Sequence, residues 1–182
     1  MQVTGLKAVY FGKPLPEGVN AEGVADLLKK YTKFTQPYQG GINLNFSLPS
    51  SKKWYREGEK LPTQTLRDAT SGEQKVAWNT MDYGEDEKKF YYGETEEERA
   101  DVFEREVGAA FVAESGAMLV FARVKIVSTP GGGMNATGDP VLIQSEADVL
   151  APSSGKGYGW DVIAVTEGIG STPESLFGSA AE

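Results

Sequence analysis

A mainly β fold is predicted for this chain, an antiparallel β-sandwich or half-open barrel with one flanking α-helix. Three observations predict it. The 182 residues include 22 glycines and nine prolines, which cut the chain into many short elements. Residues 107–127, VGAAFVAESGAMLVFARVKIV, are the most apolar and most strand-like run, broken in the middle by the turn formers Glu114, Ser115 and Gly116. The best helix pattern stands between strand runs instead of alternating with them, so a parallel α/β sheet is not expected.

Taken in order, residues 7–12 form a short strand near the amino terminus, and the breaker run from Lys13 to Gly18 follows. A short helix is expected over 21–31, with Asn20 as its cap and Val24, Leu27, Leu28 and Tyr31 on one stripe. Ile42, Leu44, Phe46 and Leu48 alternate with Asn43, Asn45 and Ser47, which predicts a strand over 42–48 with one dry and one wet face. Residues 50–72 have weak periodicity and read as a long, partly extended polar loop. Its aromatic and basic cluster Lys53, Trp54, Tyr55 and Arg56 suits contact with another subunit. A weaker strand is expected over 73–83, then an acidic turn, then a short strand over 88–92, KKFYY.

The helix pattern covers 95–106, where Thr95 and Glu98 make a capping box and Ala100, Phe103 and Val107 would form a buried stripe. In the hairpin that follows, Met118, Val120, Ala122, Val124 and Ile126 fall on one period-two face, read as core. Leu119, Phe121, Arg123 and Lys125 fall on the other, which another loop or another copy would partly cover. Residues 129–140 read as a glycine-rich loop. No G-K-[ST] follows its glycines, so it is not a phosphate-binding loop. Two closing strands are expected over 141–150 and 160–166, and a small, polar, mobile tail over 167–182. The whole is read as a single domain.

Composition excludes more than it selects. Without cysteine, disulfides and thiolate chemistry are absent; without histidine, the commonest general base and transition-metal ligand are missing. Neither a signal peptide nor a membrane-spanning run is legible, so a soluble protein made in a cytoplasm is expected. The net charge of -8 argues against a protein that wraps nucleic acid, since that needs cations to neutralise phosphates. No catalytic, cofactor-binding or metal-binding motif is present, and the acidic DYGEDE stretch lacks the frame of a calcium loop. A non-enzymatic role is therefore expected.

The order of elements, with 41–48, 95–127, 141–150 and 160–166 carrying the likeness, resembles that of the major tail tube proteins of long-tailed bacteriophages. The likeness runs through most of the chain as a pattern of elements and not as a sequence motif. It implies a structural virion protein made in the host cytoplasm that self-assembles, with other tail proteins as partners. Hexameric rings would join sheets into an inner barrel, closing edges that a lone subunit leaves open. The rings would stack into a tube through which DNA passes without specific binding. Acids on the lumen wall would repel phosphate, with Asp82, Glu146 and Asp148 as candidates, and the 50–72 loop would bridge rings. Three rival readings stand beside it. One is another assembly protein, such as a capsid decoration protein or secretion-system tube. The second is a monomeric ligand- or carbohydrate-binding sandwich using Trp54, Trp78 or Trp160, and the third a carboxylate-only enzyme.

Overall fold

The structure, a computed structural model, describes residues 5–34, 38, 42–47, 57–58, 73–132, 140–172 and 176, and the backbone alone of 51–54 and 64–67. In chain order its elements are β1 (Leu6–Gly12), α1 (Val24–Leu28), β2 (Thr32–Phe34), β3 (Ile42–Phe46), β4 (Ser51–Trp54), β5 (Gln64–Arg67) and β6 (Gln74–Thr80). Then come α2 (Glu85–Tyr92), α3 (Glu96–Ala100), β7 (Glu104–Ala113), β8 (Ala117–Gly132), β9 (Val141–Val149) and β10 (Trp160–Ala164). The fold is mainly β, as predicted: an open, eight-stranded antiparallel sheet with short helices. Its strand order is β2-β1-β7-β8-β9-β6-β3, and β10 pairs with the first part of β8.

The apolar hairpin is the centre of this sheet, and the Glu114–Gly116 turn lies where the sequence predicts it. Every residue of β7 from Val107 to Ala113 is buried, because the hairpin has a core on each of its faces. One regularity of the sequence is broken. Val107 pairs with Val124, but Ala109 pairs with Phe121, so Ala122 and Arg123 together face Gly108. This β-bulge reverses the alternation of side chains. Met118, Val120 and Ala122 therefore enter one core, while Val124 and Ile126 enter the other beside Leu119 and Phe121. The predicted single face is buried throughout, but the bulge divides it between two cores. The backbone atoms of Ala122 freed by the bulge find other partners: its carbonyl accepts from Leu15 N at 2.7 Å and its N–H donates to Gly159 O at 2.7 Å.

Curling of the sheet encloses the first core. Three strands separate β1 from β6, so a flat sheet would hold them roughly 19 Å apart. Yet the rings of Phe11 on β1 and Trp78 on β6 are 5.7 Å apart. Helix α2 fills the concave side, with Phe90 stacked on Phe11 at 4.8 Å and lying 4.4 Å from Phe34. The Trp78 indole N–H donates to the Tyr91 hydroxyl at 3.3 Å, which satisfies a polar tip inside the core. The second core, on the convex side, is covered by Leu15, Val19, Val24, Leu28 and Tyr31 from the segment that follows β1. Tyr31 lies flat against two paired glycines, Gly12 and Gly108, and its hydroxyl donates to Lys13 O at 3.2 Å.

Several local expectations are corrected. The helix over 21–31 shrinks to the five residues of α1. Its cap is Gly23, at a left-handed φ of 80°, and not Asn20. Asn20 instead accepts a hydrogen bond from Tyr158 N at 2.8 Å and holds the β9–β10 loop. The predicted KKFYY strand is the second half of α2. The acidic residues before it, Glu85 to Glu87, occupy the first helical turn, where they suit the dipole, and burial of Phe90 and Tyr91 overrides strand propensity. The capping box of Thr95 and Glu98 is present, with Thr95 Oγ1 accepting from Glu98 N at 3.2 Å. Its helix, however, ends at Ala100 and buries no side chain, and residues predicted as its last turn begin β7. Asp101 stops it in an extended conformation, its side chain accepting from Val102 N at 2.7 Å.

The expected 50–72 loop contains the antiparallel pair β4–β5. The predicted glycine-rich loop starts later than expected, because Thr129 to Gly132 continue β8 opposite β9. Beyond Val127 no described strand pairs with the β7 side of β8, where Pro130 forfeits no ladder bond. A side chain at Gly131 would collide with that of Gln144. The described part of the tail is docked on the body rather than hanging free: Gly170 N donates to Leu28 O and Thr172 N to Lys29 O.

Candidate functional site

Opposite partners in a sheet share a face, so the strand registers assemble a surface that no single strand displays. Asp148 lies between Lys75 of β6 and Lys125 of β8, Glu146 between Ala77 and Val127, and Gln144 between Asn79 and Thr129. Asn43 and Asn45 of β3 extend the rows on one side, and Glu104 and Glu106 of β7 extend them on the other. The result is a polar, solvent-facing wall across β3, β6, β9, β8 and β7. Behind it lie Val76, Trp78, Ile143, Ala147, Val124 and Ile126, all buried.

Charge on this wall is largely paired. Lys75 Nζ bonds Glu146 at 2.8 Å, and Arg123 grips Glu106 with two bonds of 2.6 and 2.8 Å. Lys125 pairs with Glu104. The hydrogen bond from Arg123 holds the Glu106 carboxyl below its ordinary range, and the bond to Glu146 raises the Lys75 ammonium above its own. All these groups are substantially exposed, so water screens the pairs. The wall is a hydrated lattice of alternating charge, with neither the cation excess that holds phosphate nor a bare acidic surface.

Of the candidate lumen acids, Glu146 and Asp148 stand together on this wall. Asp82 does not join them. It follows the end of β6, half-buried, with its N–H directed to Thr80 Oγ1 at 3.3 Å. Sequence reasoning missed the cations Lys75 and Lys125 as partners of the acids, because 71 residues separate Lys75 from Glu146 and only the register unites them.

The wall ends at an open edge. Among the described residues, β3 pairs with β6 on one side and with nothing on the other. Leu44, on the apolar side of β3, is 49% exposed, so the dry face predicted for this strand is covered only in part. Next to it, Phe46 meets Trp160 with ring centroids 5.1 Å apart, at the rim of a 420 Å³ groove that Gln74, Leu150, Pro152 and Tyr158 also line. Trp78, one of the three tryptophans weighed as a sugar platform, is 3% exposed and belongs to the core.

The chain runs from β3 through β4 and β5 back to β6, and β4 and β5 form a two-stranded sheet of their own. Phe46 pairs with Gln74, and Ser47 bonds Glu73 through both backbone and side chain. Ser51 then pairs with Arg67, and Trp54 with Gln64, a register only two residues removed from that of β3–β6. Lys53 and Trp54, candidate contact residues, are on β4, while Tyr55 and Arg56 lie outside the described residues.

Other chemistry is sparse. No group of three or more acidic residues among the described residues is placed to hold a metal ion, and no described helix is long and apolar enough to cross a membrane. Searched against models of known protein families and against curated proteins, the chain matches none.

Proposed function

We propose that this chain is a structural virion protein that self-assembles into stacked rings, hexameric as in the family it resembles, and forms the tail tube through which phage DNA passes. One observation carries the reading: a hydrated five-strand wall, backed by core, runs to a sheet edge that lacks a partner strand among the described residues. Pairing that edge with a strand of the next copy would extend the wall around a ring and cover Leu44. A ring also removes the aggregation hazard of an open edge. The paired charges suit a lumen that DNA slides past, since they offer phosphate few unpaired cations. The β4–β5 pair, between β3 and β6 in the chain, is the element we assign to contact between rings.

Negative-stain microscopy of the concentrated protein, with its light-scattering mass, tests the reading. Rings or hollow tubes with a pore wide enough for duplex DNA are expected. Leu44→Glu should leave a folded monomer that no longer forms them, and deletion of residues 53–61 should leave rings that do not stack. A protein that stays monomeric at every concentration, even when seeded with isolated tail ends, would refute self-assembly. Leu44→Glu tubes like those of the parent would refute the role of the β3 edge.

A further inference from the structure

One helix has no place in either core. The Thr95–Glu98 box caps α3 at its start, yet none of its five residues is buried, and Val102 just beyond it is 69% exposed. The first turn of a helix is the costly one, and most helices draw their stability from a packed face. This helix lacks such a face within the subunit, and what it presents to solvent is mostly acid. Met81 to Glu106 hold eleven acidic and four basic residues, an excess of seven where the whole chain has an excess of eight. On the wall, Glu104, Glu106 and Glu146 are each paired with a cation. Among the described residues, Asp86 of α2 and Glu96 and Glu97 of α3 are exposed and form no ion pair.

The opposite charge stands elsewhere in the chain. β4 and β5 carry Lys52, Lys53 and Arg67 and no acid. They pair with each other and, among the described residues, with no strand of the large sheet. The chain enters β6 from β5 at one end and leaves it for α2 and α3 at the other. Between those ends, Gln74 to Thr80 span roughly 20 Å at the rise of a strand. A basic element before the strand and an acidic one after it are the two halves of a head-to-tail contact, which repeats from copy to copy without closing.

We propose that the acidic surface of α3, with Val102 beside it, receives the basic β4–β5 pair of a copy in the neighbouring ring. The inference rests on the ring reading above, in which β4–β5 bridges rings. Opposite charge steers the approach and fixes which end of one ring meets which end of the next, because like ends repel. The exposed valine adds an apolar patch from which the contact expels water.

Charge reversal tests it. Glu96→Lys with Glu97→Lys changes the acidic surface, and Lys52→Glu with Lys53→Glu changes the basic pair. Glu96 and Glu97 lie outside the Thr95–Glu98 cap and outside both cores. Near-ultraviolet circular dichroism of the buried Trp78 reports folding in each variant, and negative-stain microscopy counts rings and tubes over a concentration series. Each variant alone should form rings but need at least tenfold more protein than the parent to stack them. Mixed together, the two variants should stack at close to the parental concentration, because each then meets opposite charge in the other. Folded variants that stack as readily as the parent would overturn the pairing of these surfaces. So would two impaired variants that mixing does not rescue, since a contact made within one subunit behaves in that way. A parent that forms neither rings nor tubes at any concentration would overturn the inference through its premise, the ring reading.

Discussion

Gly12→Ala probes a close packing of ring on backbone. Gly12 pairs with Gly108, and the Tyr31 ring lies flat across them. A Cβ built at Gly12 has three nearest neighbours, all of them atoms of that ring; its distance to Cγ would be 2.7 Å. The other two ring atoms would be nearer still, and ordinary carbon contact is about 3.5–4.0 Å, so something must move by more than an ångström. Tyr31 is 2% exposed and its hydroxyl is engaged by Lys13 O, so the ring has no free direction. Overpacking of this kind costs about 3 kcal/mol. Gly12 does not have a positive φ, so alanine also stiffens the unfolded chain and returns about 0.7 kcal/mol. The net loss is about 2 kcal/mol, equivalent to a fall in Tm of about 4–8 °C for a chain of this size. Tyr31→Ala alone should cost about 3–5 kcal/mol. In that background the clash is gone and Gly12→Ala should stabilise by about 0.5 kcal/mol. Urea denaturation of the four proteins measures the change of sign. A loss that is the same with and without Tyr31 would refute the glycine cradle.

Three further expectations follow from single contacts. Thr95→Ala removes the cap of α3 and should cost about 1 kcal/mol locally, seen as faster exchange of the Glu98 amide, with little change in global unfolding because α3 buries nothing. Arg105→Lys keeps the charge but loses the fork that binds the carbonyls of Lys89, Phe90 and Leu176. About 2 kcal/mol should be lost in chemical denaturation, and a loss below 0.5 kcal/mol would show that water replaces the fork. The carboxyls of Glu98 and Glu106 are held below their ordinary 4.5, by the backbone N–H groups of Thr95 and Glu94 and by Arg123 respectively. Folded pKa values below unfolded ones mean that their stabilisation is fully present above about pH 5 and is lost as pH falls through the depressed values. NMR titration should place both midpoints below 4.5, and a midpoint at or above it would contradict the geometry.

Legibility in the sequence tracked how local the determining physics was. The β7–β8 hairpin was legible because its apolar alternation and its turn lie within adjacent residues. The capping box was legible for the same reason, whereas the length of its helix was not, since the end depends on Asp101 turning extended. The KKFYY segment misled because aromatic residues favour strands in general, while here Phe90 and Tyr91 reach a core formed by β1, β2 and β6. The acid run before it was the available helix signal. On the polar wall, the wet residues of β9 were identified from alternation alone, but their cations belong to strands far away in the chain. The β4–β5 pair was hidden because neither SKKW nor QTLR carries an apolar alternation to announce a strand.

The bulge at Ala122 and Arg123 has a consequence for how the molecule comes apart. Since β8 changes sides there, one continuous strand is the common wall of both cores. Neither core can lose order without withdrawing that wall from the other. The concave and convex halves should therefore melt in one transition. Damage to Phe90 on one side should be felt as slower-motion loss around Leu28 on the other, which makes β8 the element through which strain at one surface of the subunit is carried to the opposite one.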